Sequence, residues 1–320
     1  MNRLTSQIIK LFLSLLPALG IMGCETIIDV DLPEHEPTLV LNSYFGTDTT
    51  FIVSLHESKS ILDASYDFKV VHDATIQLYA ENQLIGTFTE SETESNNGFE
   101  FGNYVLYHYP EAGINYSIVA SKSGFRTVEA QDAIPLEKIN PSIEEFKDVS
   151  DGEYYGDRKY QLTYSLNDPP GEDFYEVFLY AEMPEYEYYH DADTSYFYLI
   201  GYRKNRIYYE EVGAELNEFE DNSVDPTLFS DKLFDGRKYT HTIEATIFVN
   251  AINEDEKIKL YLEVKHVSKA YFRYKKSFGL QLDSEGNPFA EPAPVYNNIE
   301  GGLGIFAGYG VETIYFEFDK

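Results

Sequence analysis

The feature that most constrains this chain is a period-two alternation of apolar and polar side chains, repeated in short runs along most of its length. Alternation of that period belongs to strands with one face on a core and the other in water. Within residues 257–264, Ile258, Leu260, Leu262 and Val264 face one way while Lys259, Tyr261 and Glu263 face the other. The same pattern predicts strands over 75–80, 116–120, 160–166, 176–181, 243–249 and 313–318. Turn clusters punctuate the runs: Glu81-Asn82, Asn96-Asn97-Gly98, Asp168-Pro169-Pro170-Gly171 and Asp235-Gly236. A parallel sheet would need helical crossovers between strands, and none intervene here. Composition agrees, because 28 tyrosines and 22 phenylalanines favour pleated, half-buried backbone. One segment departs from the pattern. Ser268 can cap a helix in which Tyr271, Tyr274 and Phe278 share a face and which Gly279 can end; it is expected to lie across a sheet edge or barrel mouth.

A length of 320 residues exceeds what one small core usually serves, so two domains are expected. The break falls between Ala133 and Ser142, where Ile134-Pro135 and Asn140-Pro141 bracket a short polar stretch. The expected fold class is mainly β. Residues 24–135 would form an immunoglobulin-like β-sandwich behind the N-terminus. Residues 136–320 would form a larger β-sandwich or barrel-like domain with one short helix and an acidic, tyrosine-rich insertion near 183–225.

The N-terminus reads as a secretory signal over residues 1–23. Arg3 and Lys10 precede an apolar stretch, residues 11–22, that Pro17 interrupts. The stretch is shorter than the roughly 20 apolar residues a bilayer span requires. The junction Ile21-Met22-Gly23-Cys24 resembles a bacterial lipobox, making Cys24 the expected lipidation site; a free buried cysteine is the alternative. Cys24 is the only cysteine, so no disulfide can form within one chain. Each buried CH2 contributes roughly 0.8 kcal/mol, so two or more acyl chains would hold the protein at a membrane without a transmembrane segment. The expected location is the outer membrane, with the leaflet left open. A net charge of −31 argues against nucleic acid, whose binding rests on basic phosphate-neutralising patches. It argues equally against electrostatic adhesion to anionic headgroups.

Several phrases together resemble a family of Bacteroidota outer-membrane lipoproteins of unknown function. They are Cys24 followed by Ile28-Asp29-Val30-Asp31-Leu32-Pro33, then Phe229-Ser230-Asp231-Lys232-Leu233-Phe234-Asp235-Gly236, then Asn287-Pro288-Phe289-Ala290-Glu291-Pro292, and finally Asn298-Ile299-Glu300-Gly301-Gly302-Leu303-Gly304-Ile305-Phe306. The resemblance implies a lipoprotein associated with TonB-dependent transporters, in the manner of nutrient-uptake pairs. It supplies no binding residues.

Candidate contact residues come from two places. The insertion around Tyr186, Tyr188 and Tyr189 sets aromatic faces beside carboxylates and His190, suiting sugars, peptide side chains or a partner; a solvated tyrosine-rich surface is the plain alternative. Lys265, Lys269, Arg273, Lys275 and Lys276 form the densest basic cluster, of which Lys269 and Arg273 are the candidates for an anionic ligand or acidic partner loop. A solvated helix face, with its last bases near the negative helix end, explains them too. Glycines at 302 and 304 match a relaxed dinucleotide fingerprint, but the chain ends too soon for the crossover that motif needs, so close backbone packing is the better reading. Seven scattered histidines form no His-Glu-x-x-His, and no nucleophile elbow, Walker loop or calcium-loop spacing occurs. No cofactor, metal or catalytic residue is therefore expected. The expected role is non-enzymatic: ligand binding, or accessory service to a transporter. A surface hydrolase of glycans or peptides, using carboxylates paired by the fold, is the alternative.

Overall fold

A computed structural model describes residues 35–60, 63, 68–91, 94–96, 99–101, 103–150, 157–191, 194–213, 227–248, 257–284 and 293–319. The expected signal segment, Cys24 and the phrases at 28–33 and 287–292 lie outside the described residues. No described helix is long and apolar enough to cross a membrane.

Among the described residues the fold is mainly β with one short helix, as the alternation predicts. In chain order the strands are β1 (Leu39–Gly46), β2 (Phe51–Glu57), β3 (Thr75–Ala80), β4 (Gln83–Thr87), β5 (Thr89–Glu90), β6 (Glu94–Asn96) and β7 (Phe99–Phe101). Next come β8 (Asn103–Leu106), β9 (Asn115–Ser121), β10 (Val128–Ala133), β11 (Ser142–Asp148), β12 (Asp157–Asn167) and β13 (Phe174–Asp191). The chain continues through β14 (Thr194–Ile207), β15 (Tyr209–Glu211), β16 (Leu228–Ser230), β17 (Lys238–Phe248), β18 (Lys257–Val267), α1 (Lys269–Ser284) and β19 (Leu303–Asp319). Glu81 and Asn82, both at positive φ, make the tight turn between β3 and β4 that their sequence announces.

One nine-stranded sheet runs β14-β13-β18-β19-β1-β2-β8-β5, with β16 added beside β13. Two four-stranded sheets, β10-β9-β3-β4 and β11-β12-β17-β15, complete two cores against it. In the first core, Leu41, Phe45, Phe51 and Phe306 from the large sheet meet Ile76, Leu78, Tyr116 and Ile118. Phe45 stacks on Phe51 with ring centroids 5.0 Å apart and lies 4.5 Å from Phe306. Each such ring, fully buried, contributes about 1.5–3 kcal/mol relative to exposure. In the second core, Tyr175, Val177, Leu179, Leu262 and Val264 meet Leu162, Tyr164, Ile243 and Ala245.

Strand pairing does not divide at the expected boundary of 135/136. β1 runs parallel to β19, with Leu41 opposite Gly304 and Gly46 opposite Tyr309, so the first and last strands of the described chain are neighbours. Ile299 and Phe306 complete the first core, and residues 37–320 form one compact unit. The glycines at 302 and 304 serve this join. Gly304 sits at φ +115°, and a Cβ there would fall 2.0 Å from the Leu41 carbonyl oxygen; at Gly302 it would fall 2.6 Å from that of Leu39. Asn298 fixes the same strand by accepting from the Phe306 N–H at 3.0 Å and donating to the Phe306 carbonyl at 2.8 Å.

Helix α1 covers the opposite face of the large sheet rather than an edge or a barrel mouth. Ala270, Tyr271 and Phe272 pack with Phe174, Val267, Ile305 and Ala307. Ser268 caps it as expected, its hydroxyl accepting from the Tyr271 N–H at 3.2 Å. The helix continues past Gly279 to Ser284, so its bases lie away from its C-terminal turn and do not complement the helix dipole there.

Candidate functional site

The candidate tyrosines lie on the long hairpin of β13 and β14, paired from Leu179–Ile207 out to Asp191–Thr194. Tyr175, Val177 and Leu179 reach the second core, but farther out the strands leave the body and neither face is covered. Tyr188 packs on Phe197 at 4.9 Å and Tyr189 on Tyr196 at 5.1 Å, on opposite faces of the ribbon. Tyr188, Phe197, Ile200 and Tyr202 are 54%, 70%, 52% and 55% exposed, while Tyr186 is half-buried. A register shift between Glu185 and Tyr186 leaves Ile200 without an opposite partner, which bends and twists the ribbon. The tip is therefore an apolar, aromatic ridge held by cross-strand ring pairs, with Tyr198 donating to Glu187 and Arg203 donating to Glu185.

The basic residues make contacts within the chain, Lys269 and Arg273 from exposed positions. Lys269 donates to Glu172, and Lys275 lies 3.4 Å from Glu176, a fully buried carboxylate that also accepts from the Tyr271 hydroxyl at 2.5 Å. Arg273 sits over the Tyr296 ring at 5.8 Å, and Lys265 over Phe178 and Tyr309 at 4.9 and 4.6 Å. The hairpin tyrosines and this cluster do not share a site. Phe174, at the other end of β13, stacks on Phe272 of α1 at 4.4 Å, and Tyr186 lies about 40 Å farther along at roughly 3.3 Å per residue.

A third constellation has no counterpart among the sequence candidates. Asp168 follows β12, Asp173 precedes β13 and Asp231 follows β16, and one carboxylate oxygen from each lies within 4.8 Å of the other two. The loops carrying them are tied together. Asp231 N–H donates to the Asp173 carbonyl at 3.0 Å, Gly236 N–H to Asp168 Oδ2 at 2.7 Å, and Gly171 N–H to Asp235 Oδ1 at 2.9 Å. The Tyr175 hydroxyl donates to Asp168 Oδ1, and the Tyr175 ring stacks on His266 at 5.2 Å. His266 Nδ1 lies 3.2 Å from the Glu137 carbonyl oxygen, and Nε2 faces Asp173 Oδ1 at 2.6 Å. Burial, reinforced by Asp168, Asp173 and Asp235, pushes the Asp231 carboxyl up to about 6 despite its backbone bond to Asp173. Burial also raises Asp168, against the opposing bonds from Tyr175 and Gly236. Asp168 and Asp231 do stand inside segments the sequence marked, the Pro-Pro-Gly turn and the 229–236 phrase, but spacing alone could not join positions so far apart.

Among solved structures the chain is similar to a DUF4785 family protein from Legionella pneumophila subsp. pneumophila str. Philadelphia 1. The identity is 13% and the TM-score 0.21, over 71% of this chain and 52% of that one. It is also similar to a protein from Corynebacterium diphtheriae described as membrane anchored, at 6% identity and a TM-score of 0.19, over 73% of this chain and 55% of that one. The chain thus spans about half the length of these structures. No curated protein matches it significantly. A family model does match, over residues 25–314, and the chain therefore belongs to the family of the domain of unknown function DUF4249.

Proposed function

We propose that this protein is a lipoprotein of the Bacteroidota outer membrane, anchored through Cys24, whose β13–β14 hairpin docks a TonB-dependent transporter barrel or a ligand that such a barrel imports. One observation carries the reading: the hairpin projects a ridge of Tyr188, Tyr189, Tyr196, Phe197 and Tyr198 that no part of the described chain covers. A water-exposed apolar ridge is costly to solvate and is characteristic of binding surfaces, where tyrosine supplies large contact area with few rotors. The lipid anchor would confine the ridge to the membrane plane and raise the encounter rate with a barrel.

The test is affinity capture from detergent-solubilised outer membranes. Wild-type protein is expected to recover a TonB-dependent receptor stoichiometrically. Serine at Tyr188, Tyr196 and Phe197 together is expected to lower that recovery at least about tenfold, which corresponds to about 1.4 kcal/mol. Cys24→Ala is expected to leave the protein off the membrane. Recovery unchanged in the triple variant would remove the hairpin from the proposal. Turnover on a glycan or peptide panel, abolished by one Asp or Glu substitution, would replace the binding role with the hydrolase.

A further inference from the structure

The cluster of Asp168, Asp173 and Asp231 plays no part in hairpin docking, yet it concentrates three carboxylates where like charges repel. Two of the three residues are buried. Hydrogen bonds already orient two members: Asp168 accepts from Tyr175 and Gly236, and Asp173 faces His266. Asp231 differs. It is only 2% exposed, and its Oδ2 finds no hydrogen-bond donor among the described residues. A buried carboxylate oxygen without a partner costs free energy that a native fold normally avoids by hydrogen bonding or by coordinating a metal. Arg237, close by in sequence, donates to the Leu233 carbonyl.

We propose that Asp168, Asp173 and Asp231 bind one calcium ion, which clasps the 168–173 loop to the 231–237 loop at the end of the second core. The donor set is all oxygen, as a hard cation requires. Ligands on a Ca2+ sphere of radius about 2.4 Å lie at most about 4.8 Å apart, and the three oxygens meet that limit. Mg2+, at about 2.0–2.1 Å, demands a smaller and more regular octahedron and keeps most of its water. The bonds from Tyr175, Gly236 and His266 are those of an outer shell that holds ligating carboxylates in place. A chain with net charge −31 also concentrates divalent cations near its surface before any one of them is captured.

The experiment uses the full chain in detergent, stripped with EDTA and returned to 0.1 M NaCl so that diffuse surface binding is screened. Terbium serves as the luminescent probe, excited through nearby tyrosine, and calcium as its competitor. One saturable site is expected, displaced by Ca2+ at least about tenfold more readily than by Mg2+, with a rise in melting temperature of about 5 °C in millimolar CaCl2. Asp231→Asn keeps the shape and removes the charge; it is expected to fold, to lose at least about tenfold in affinity, and to show no calcium-dependent shift. Asp283→Asn, at an exposed position in the last turn of α1, is expected to bind within about threefold of wild type. No saturable wild-type binding overturns the proposal, whether or not the variants fold. So does an Asp231→Asn protein that still responds to calcium, or an equal loss in both variants.

Discussion

At the scale of single residues, two positions test whether the described packing is what holds the chain. Gly304 lies at a backbone angle that L side chains rarely adopt, and its missing Cβ is where the Leu41 carbonyl oxygen approaches. Gly304→Ala must either part β1 from β19 or compress that contact, so a loss of more than about 2 kcal/mol is expected in urea denaturation, with a slope little changed. His241 offers a second test. It lies buried between Tyr164 and Tyr239, with ring centroids at 6.0 and 5.7 Å, and burial lowers its pKa from the usual 6.5 to about 4. The folded state resists protonating a ring that the unfolded chain protonates freely. Its contribution is therefore complete above pH 6.5 and is lost as pH falls toward 4, by about 3 kcal/mol in all at about 1.4 kcal/mol per tenfold. Glu211, whose Oε1 is 3.8 Å from His241 Nε2, works oppositely: burial raises its pKa, so its protonation favours the fold as pH drops. Stability measured by denaturant between pH 7 and 4 is expected to decline in the wild type, and His241→Phe is expected to flatten that decline.

At the scale of elements, the β13–β14 hairpin separates what folding needs from what exposure suggests. Its outer rings touch one another and little else, so removing residues 187–198 and closing Tyr186 to Leu199 with Asn-Gly should leave both cores intact. The shortened protein is expected to melt within about 3 °C of the parent while losing receptor capture; a much larger drop would make the ridge part of the fold. The alternation marks this ribbon's inner run at 176–181, because side-chain period is a local property, whereas its outer strands show in the sequence only as a tyrosine-rich insertion. It gave away the Ser268 cap for the same reason. It misjudged the helix end: Gly279 carries on as helix to Ser284, at a cost of only about 1 kcal/mol for a glycine inside a helix. The acidic trio stayed hidden because its members sit at three strand ends that only sheet order brings together. The surface pairing of Lys269 and Arg273 stayed hidden because both partners, Glu172 and Tyr296, belong to other segments.

At the scale of the whole molecule, two cores hang from one sheet, and the seam between them is the parallel pair of β1 and β19. The expected division after residue 135 follows the cores for most of their content, yet it cuts Ile299 and Phe306 out of the first one. Phe306 is fully buried against Phe45 and Phe51, and loss of such a ring from a core costs about 3–5 kcal/mol. That approaches the whole stability of a domain of about 100 residues, which is about 5–15 kcal/mol. The same cut bares the β1 edge along residues 40–46, where unpaired backbone invites association with other chains. A fragment of residues 37–135 is accordingly expected to aggregate or to unfold without a cooperative transition. Joining residues 293–311 to it through a flexible linker should restore both the missing strand and the missing rings, and with them a sigmoidal denaturant curve. If the bare fragment unfolds cooperatively and as late as the extended one, β19 is only a neighbour, and the N-terminal sandwich is a domain in its own right.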